Sequence, residues 1–163
     1  MENKQLLIRE ATKSDLPIIL KLIYLKAQFD GCPESVEATL QKLEDTLFCN
    51  NPIEFILLAE IDREIIGFAS YHYIYSTFLA QTCLWLNDLY IKPERRGKGI
   101  GTALIERLCQ IAQENNCGRI DWTVSINNPK GIKFYERIGA TIIQKVRLCR
   151  LDKNAIASRD RIC

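Results

Sequence analysis

The sequence is poor in the residues that hold metals. It contains one histidine, His72, and its seven cysteines are scattered along the chain without any Cys-x-x-Cys pair. Structural zinc sites use closely spaced cysteine and histidine ligands, so we predict no bound metal. An odd number of cysteines also argues against a disulfide framework, and we interpret them as free, mostly buried thiols. We interpret His72, which lies in an aromatic stretch, as a structural residue.

Long apolar runs are also missing. No stretch approaches the roughly 18 residues of a membrane-spanning helix, and residues 1–5 lead into a predicted strand rather than into a signal-peptide core. A chain of 163 residues with 47% hydrophobic content suits one compact domain. We therefore predict a single domain over residues 1–153, a polar C-terminal tail over residues 154–163, no membrane partner and a cytoplasmic location.

The basic residues lack the pattern of a nucleic-acid-binding surface. They form no run interleaved with aromatic residues, which disfavours nucleic acid as a partner. Residues 28–64 hold nine acidic and two basic side chains, whereas residues 92–153 hold thirteen basic and six acidic ones. An acidic half attracts a cationic molecule, and a basic half attracts a phosphorylated one. The uneven distribution therefore favours a small cation and a phosphorylated molecule as ligands.

Hydrophobic periodicity predicts the element order βααβββαβαβ. Such an order is typical of an α/β sandwich with a mixed sheet and helices on both faces. The predicted strands span residues 6–9, 54–60, 64–73, 84–91, 119–125 and 141–151. The first predicted helix begins at residues 14–17, and three others span residues 35–48, 99–115 and 129–138.

The most informative segment is residues 89–104, where an apolar strand enters a basic, glycine-rich turn that opens a helix. Gly97, Gly99 and Gly101 remove side chains where a ligand approaches the backbone. The amides in the first turn of the new helix have no intrahelical acceptor, so they are available to an anion. Three neighbouring side chains add positive charge: Arg95, Arg96 and Lys98. A turn of this kind is suited to binding a pyrophosphate.

Two common nucleotide-binding motifs do not fit this turn. A Gly-x-Gly-x-x-Gly fingerprint needs glycine where Thr102 stands, and no P-loop string occurs. Residues 96–101 instead resemble the Arg/Gln-x-x-Gly-x-Gly/Ala signature of the GCN5-related N-acetyltransferase (GNAT) superfamily. In that family the strand, turn and helix hold the pyrophosphate of coenzyme A.

A second segment, residues 124–140, resembles the other half-site of the same family. It reads as a strand, an asparagine, a short helix that ends in a Phe-Tyr pair, and a glycine after the helix. Asn128 lies seven residues before Tyr135, which is the usual spacing in the family, and Gly131 occupies the place of a small residue. Two motifs in the correct order support the resemblance over most of the chain.

The resemblance implies a fold, a co-substrate and site residues. The fold is a three-layer sandwich whose mixed sheet of about six to seven strands has a splayed central pair, and acetyl-CoA is the acetyl donor. Related enzymes are often dimers, so a homodimer is expected. Tyr135 matches the family residue that protonates the leaving thiolate. The residues implied in acetyl-CoA binding are Tyr90, Ile91, Arg96, Gly97, Lys98, Gly99, Ile100, Gly101, Thr102, Asn128 and Tyr135.

The amine side of the site is predicted from residues 84–91. This strand resembles the one that carries two consecutive acids in the diamine (spermidine/spermine) acetyltransferase group, but here the first position is Asn87 and only Asp88 is charged. We predict that both residues bind substrate, and that Asp88 orients the ammonium or takes its proton through water. Strand alternation places Asn87 and Asp88 on opposite faces, so both reach one site only if the strand is bulged.

The predicted function is transfer of an acetyl group from acetyl-CoA to a primary amine. A small cationic acceptor fits best, such as a polyamine-like molecule, an amino acid or an aminoglycoside. Acetylation of a protein or peptide remains an alternative, as does a non-catalytic module that senses coenzyme A. Release of free thiol that depends on an added amine distinguishes an enzyme from a sensor.

Overall fold

The computed structural model describes residues 5–161 and divides the chain into two units, one ending at Thr123 and one beginning at Val124. The first unit contains strands β1 (Leu6–Glu10), β2 (Phe55–Ile61), β3 (Glu64–Ser76), β4 (Gln81–Ile91) and β5 (Ile120–Trp122), with helices α1 (Leu16–Asp30), α2 (Leu40–Leu47) and α3 (Ile100–Glu114). The second contains helices α4 (Pro129–Arg137) and α5 (Lys153–Ala157). Helix α2 is shorter than predicted, because a separate 3-10 turn at Pro33–Ser35 precedes it.

The five strands form one sheet in the order β1-β2-β3-β4-β5. Neighbouring strands are antiparallel up to β4, and β4 and β5 are parallel. The β2–β3 hairpin turns at Asp62 and Arg63, which both have positive φ, as a type I′ turn requires. The predicted α/β sandwich with a mixed sheet is therefore confirmed.

One face of the sheet is covered by α1. Its apolar cluster contains Ile19, Leu22, Ile56, Leu58, Ile65, Phe68 and Tyr90. Residues of α2, Leu43 and Leu47, pack at the edge of this cluster. Each fully buried aliphatic side chain contributes about 1.5–3 kcal/mol relative to exposure. Burial against α1 therefore determines which residues of β2 and β3 face this helix.

The other face of the sheet is covered by α3. Leu57 and Ala59 of β2 are fully buried and alternate with the residues that face α1. Helix α3 contacts β1 through β4 and buries Leu104, Leu108 and Ile111. Helices therefore lie on both faces of the sheet, as predicted.

A first register shift occurs between β2 and β3. Ala59 pairs with Gly67 but Glu60 pairs with Ile65, so Ile66 is an extra residue in β3. Beyond the shift, Phe55 pairs with Tyr71. A bulge of this kind moves every later pair by one residue.

A second register shift lies between β3 and β4. Ser70 pairs with Asp88 but Tyr71 pairs with Leu86, so Asn87 is an extra residue in β4. The condition for Asn87 and Asp88 to reach one site, a bulge in this strand, is therefore met. Because of it, Asn87 and Asp88 are not forced onto opposite faces of the sheet.

Strands β4 and β5 part soon after they meet. Their parallel pairing covers only Leu84–Leu86 of β4, opposite Ile120–Trp122. From Asp88 to Ile91, β4 pairs with β3 and with no other strand of the described chain. One edge of β4 is therefore open beyond the pairing, as expected from a splayed central pair.

The predicted strand at residues 141–151 is wrong. The segment has no regular secondary structure and forms no ladder with any described residue, so the sheet has five strands instead of six or seven. Its apolar residues Ile143, Val146 and Leu148 are exposed. Alternating hydrophobicity predicted a strand, but a strand also needs a partner for its backbone groups.

The C-terminal residues are more regular than predicted. Helix α5 begins after Asp152, whose Oδ1 accepts a hydrogen bond from the amide of Ala155 at 2.8 Å, and a 3-10 turn follows at Ser158–Arg161. Of the six described cysteines, only Cys83 is fully buried, while Cys49, Cys109 and Cys149 are exposed. The described cysteines are free thiols as predicted, but they are not mostly buried, and Cys163 lies outside the described residues. No helix of the described chain is long and apolar enough to cross a membrane.

Candidate active site

A cleft of about 450 Å³ opens on the α1 face of the sheet. Its apolar wall comes from α1, β2 and β3, and its polar wall comes from the residue before β2, the middle of β3 and the second half of β4. It is lined by Ile23, Glu54, Ile56, Phe68, Ser70, Asn87 and Asp88. The two predicted substrate-binding residues, Asn87 and Asp88, are therefore brought together, and a second carboxylate joins them.

That second carboxylate is Glu54, which directly precedes β2. Its Oε1 accepts a hydrogen bond from Asn87 Nδ2 at 2.8 Å, and its Oε2 lies 3.0 Å from His72 Nδ1. Asn87 Nδ2 is also 3.1 Å from His72 Nδ1. Burial raises the pKa of Glu54, and the hydrogen bonds from Asn87 and His72 offset the effect only in part. We call Glu54, His72 and Asn87 the carboxylate cluster.

Asp88 has a different environment, because a lysine neutralises it. Lys26 of α1 places its Nζ 3.3 Å from Asp88 Oδ1 and also pairs with Asp30. Burial by itself lowers the pKa of Lys26, but the two carboxylates outweigh burial and the pKa is raised. Lys26 therefore remains an ammonium group. Ser70 Oγ lies 3.5 Å from the other oxygen of Asp88.

The glycine-rich turn leads from β4 into α3. Gly97 and Gly99 have φ of 74° and 79°, a left-handed conformation that favours glycine. A Cβ atom built on either residue meets no other atom within 4 Å. Gly99 is the N-cap of α3. Because glycine has no side chain, Gly99 accepts no side-chain hydrogen bond from the amides in the first turn of the helix. The open space around Gly97 and Gly99, together with the amides of the first helical turn, can accommodate a phosphate group.

The basic side chains near the turn have partners within the protein. Arg96 Nε donates to the Ile91 carbonyl at 2.8 Å, and its guanidinium lies 4.5 Å from the Phe29 ring centroid and 5.5 Å from that of Tyr90. Lys98 Nζ lies 3.4 Å from the carbonyl of Glu94. In this arrangement Arg96 supports the turn, and its predicted contact with the cofactor stays a prediction.

The remaining predicted cofactor residues near the turn contribute mainly backbone. The side chains of Ile100 and Tyr90 are buried, at 2% and 4% exposure, so a ligand at the surface meets their main-chain groups. Ile91 lies on the open edge of β4. Gly101 and Thr102 belong to the first turn of α3, where their amides precede the first intrahelical bond, donated by Ala103 to the Gly99 carbonyl at 2.9 Å.

The second predicted half-site lies in the second unit. Asn128 is the N-cap of α4, and its Oδ1 accepts from the Gly131 amide at 2.9 Å. A Cβ on Gly131 would come within 2.5 Å of Asn128 Nδ2, which explains the small residue there. Tyr135 is partly exposed on α4, with its ring centroid 5.2 Å from that of Phe134. The catalytic role of Tyr135 and the cofactor role of Asn128 stay predictions.

Sequence reasoning missed two polar residues that line the cleft, Glu54 and Ser70, and it missed Lys26, which pairs with Asp88. It also placed His72 among the structural residues, whereas His72 contacts Glu54 and Asn87. One signal was available, because Ser70 and His72 share a face of β3 by alternation. The bulges determine which residues of the neighbouring strands lie opposite Ser70 and His72, and hydrophobic periodicity does not reveal bulges. Among the described residues, no group of three or more His, Cys, Asp and Glu side chains is arranged to hold a metal ion.

A mixed sheet with an open central edge, an acidic cleft and a glycine turn before a helix define an N-acetyltransferase architecture. Residues 22–140 match the Acetyltransferase (GNAT) family, and the chain belongs to that family. It is an N-acetyltransferase, and the family uses acetyl-CoA.

Individual relatives agree with this assignment. The chain is 32% identical over 142 residues to thialysine N-epsilon-acetyltransferase of Sus scrofa, covering 82% of this chain and 83% of the relative. It is 28% identical to L-ornithine N5-acetyltransferase of Arabidopsis thaliana, covering 95% and 88%. The crystal structure of an integron cassette protein from V. cholerae superimposes with a TM-score of 0.79 at 27% identity, covering 96% and 98%.

Proposed function

We propose that the protein transfers an acetyl group from acetyl-CoA to a primary amine of a small cationic molecule. The observation that carries the proposal is the acidic cleft, in which Glu54 and Asp88 lie beside the apolar side chains of Ile23, Ile56 and Phe68. Carboxylates in a cleft with apolar walls attract a cation, and the walls accommodate its alkyl chain. The acidic residues between positions 28 and 64 strengthen the same field.

The relatives support a small acceptor. Two of them are a thialysine N-epsilon-acetyltransferase and an L-ornithine N5-acetyltransferase, and both named acceptors are amino acids with a side-chain amine. The volume of the cleft, about 450 Å³, lies in the range of small-molecule sites. An amino acid with a second amine, or a short polyamine, is the acceptor class we propose.

The donor side of the reaction uses the turn before α3 and the open edge of β4. We propose that the amides of residues 97–102 bind the pyrophosphate of acetyl-CoA, with Lys98 nearby. Main-chain groups of Tyr90 and Ile91 pair with the pantetheine arm as with an added strand. Both elements belong to the first unit, and the space above Gly97 and Gly99 supports this assignment.

The chemistry requires two proton transfers. An alkylammonium group, with a reference pKa of about 10.4 for lysine, must lose a proton before it attacks the thioester. The departing thiolate must gain one. We assign Asp88 and Asn87 to binding the acceptor, and Tyr135 to protonating the thiolate. The assignment of Tyr135 depends on the family pattern of residues 124–140.

The test is amine-dependent release of coenzyme A thiol from acetyl-CoA. The panel contains lysine, thialysine, ornithine, spermidine, an aminoglycoside and a peptide with a free N-terminus. We expect turnover with one or more of the small diamino compounds. Turnover with the peptide alone would indicate that the acceptor is a protein or peptide and not a small molecule. Binding of acetyl-CoA without turnover on any amine would contradict catalysis and favour a sensor.

A further inference from the structure

We propose that Glu54 is the group that accepts the proton of the amine substrate, with His72 and Asn87 as its positioning residues. The inference rests on the proposed function and names the base that the function leaves open. Sequence reasoning considered Asp88 for this step, because it was the one carboxylate visible in the strand.

The charges in the cleft distinguish the two carboxylates. Asp88 lies 3.3 Å from the ammonium of Lys26, so its negative charge is balanced within the protein. Protonation of Asp88 would break this ion pair with Lys26. We therefore assign Asp88 to orienting the acceptor and not to removing its proton.

Among the described residues Glu54 pairs with no lysine or arginine, and its ion-pair partner is His72, which is a cation only when its imidazole is protonated. Its two oxygens contact an amide and an imidazole, Asn87 Nδ2 at 2.8 Å and His72 Nδ1 at 3.0 Å. Its side chain is 20% exposed and lines the cleft, so an ammonium group in the cleft can reach it. The partly buried carboxylate is a stronger base than one in water, because burial disfavours its charge.

The carboxylate cluster can hold Glu54 in both of its protonation states. When Glu54 is ionised, His72 Nδ1–H donates to Oε2 and Asn87 donates to Oε1. When Glu54 is protonated, the imidazole carries its proton on Nε2, so Oε2–H donates to the free Nδ1 and the Asn87 hydrogen bond remains. In this change of tautomer Nδ1 gives its proton to solvent and Nε2 takes one from solvent. No side chain has to leave its position as the proton arrives. A cluster with this property suits a group that gains and loses a proton in each catalytic cycle.

The proposed reaction balances. An N–H bond of the substrate ammonium breaks, its proton forms an O–H bond on Glu54, and the electron pair stays on nitrogen. The amine attacks the thioester carbonyl carbon, and its nitrogen, which is positively charged after the attack, releases its second proton to water. The C–S bond then breaks with its electron pair on sulfur, which leaves a neutral amide. The sulfur takes the proton that the proposed function assigns to Tyr135. Glu54 then gives its proton to water, and Tyr135 regains one from water.

Other titratable and charged groups surround Glu54. Asp88 and the Lys26 ammonium lie on the cleft side, and His72 lies behind the carboxylate. A second cavity of about 160 Å³ on another side of Glu54 includes Glu10 and Tyr71. Burial raises the pKa of the Tyr71 phenol, so this group stays neutral as the cleft titrates.

The decisive variant is Glu54→Gln, compared with Glu10→Gln as a matched acid-to-amide control. Glutamine can accept from Asn87 through Oε1 and donate to His72 through Nε2, so the fold and acetyl-CoA affinity should remain. With an alkylamine acceptor at neutral pH, we expect kcat/KM to fall about 10²–10⁴-fold for Glu54→Gln. Glu10→Gln should behave like the wild type. Wild-type kcat/KM for Glu54→Gln would overturn the proposal.

A second readout separates a base from a residue that only binds or folds. A fluorinated primary amine with an ammonium pKa well below the assay pH is already deprotonated and needs no base. We expect Glu54→Gln to acetylate this acceptor at close to the wild-type rate. An equal loss on the fluorinated and ordinary amines would overturn the assignment of Glu54 as base.

The positioning role of His72 is tested by the pH profile. The cluster contact with His72 lowers the pKa of Glu54 against the effect of burial, so His72→Gln should move the acid limb of kcat/KM to higher pH. An unmoved limb would contradict the role of His72. A wild-type protein that acetylates no amine would contradict the proposed function. An active wild type together with an equally active Glu54→Gln variant would contradict only the assignment of Glu54 as the base.

Discussion

At the scale of single residues, the amide at position 87 contacts a carboxylate, Glu54, which directly precedes β2. The strand with Asn87 and Asp88 resembles a pattern that has two consecutive acids, and here the first is an amide. The structure brings the Glu54 carboxylate to 2.8 Å from that amide. The cleft therefore keeps two carboxylates, although only one belongs to β4.

Tyr135 is the residue whose proposed role depends most on sequence pattern. Tyr135→Phe removes the phenolic proton and keeps the ring that lies beside Phe134. We expect kcat to fall about 10²–10⁴-fold with little change in acetyl-CoA affinity, as for loss of a general acid. Tyr24→Phe, at a position on α1 that is 43% exposed, is the control and should be silent. Steady-state kinetics and a binding titration measure both effects, and unchanged kcat would remove the phenol from the mechanism.

Single residues also show where sequence reasoning reached its limit. Asp88 was identifiable because a lone charge in an apolar strand is costly without a partner. Its partner Lys26 was not identifiable, because it comes from a helix far away in the sequence whose packing position no pattern in the sequence specifies. Glu54 was not identifiable either, because an acidic residue directly before a strand is commonly a solvent-exposed residue at the strand end.

At the scale of elements, two bulges build the acidic cleft. A tight turn at Asp62 and Arg63 without a bulge would place Glu54 opposite Tyr71. The extra residue Ile66 shifts the pairing by one, so Glu54 comes opposite His72. The bulge at Asn87 then allows Asn87 and its sequence neighbour Asp88 to line the same cleft. The sequence predicted the five strands of the sheet but added a sixth at residues 141–151 that is not formed. It indicated that the second bulge was needed for a shared site, but it did not reveal the first.

The turn before α3 provides the element-scale prediction. Gly99→Val forces a branched side chain into a left-handed backbone and places it where phosphate oxygens would contact amides. We expect acetyl-CoA binding to be lost. Gly31→Val is the matched control, because Gly31 has φ of 78° and its Cβ also meets no atom within 4 Å.

Both glycine variants should lose stability through the same strain, roughly 1–2 kcal/mol. Only Gly99→Val should lose affinity for acetyl-CoA, as measured by isothermal titration calorimetry. If the two variants bind alike, the pyrophosphate does not lie on this turn.

At the scale of the whole molecule, a buried ion-pair network joins the first strand, the second strand and the first long helix. Arg9 of β1 donates two hydrogen bonds to Asp15, at 2.8 and 2.9 Å, and one to Glu60 of β2 at 2.7 Å. Asp15 also accepts from the Thr12 amide at 2.8 Å, directly before α1. The network fixes the start of α1, which covers the cleft side of the sheet, so its loss affects stability and the site together.

The network makes stability depend on pH. Hydrogen bonding to Arg9, together with the Thr12 contacts, holds the pKa of Asp15 well below its usual range, although burial opposes this. The folded state therefore favours the carboxylate. The stabilisation is fully present above the pKa of Asp15 in the unfolded chain, near 4. It is lost as the pH falls from there toward the lower pKa of the folded state.

Asp15→Asn should therefore lower the free energy of unfolding by about 2–3 kcal/mol at pH 7, because a charged hydrogen-bond network loses one partner. The difference from the wild type should shrink as the pH falls below about 4. Glu44→Gln is the control, since its pair with Lys13 is exposed and should contribute less than about 1 kcal/mol. Urea titrations at several pH values measure both variants. A difference for Asp15→Asn that stays constant from pH 7 to pH 3 would contradict a contribution from the charge of Asp15 to the stability of the fold.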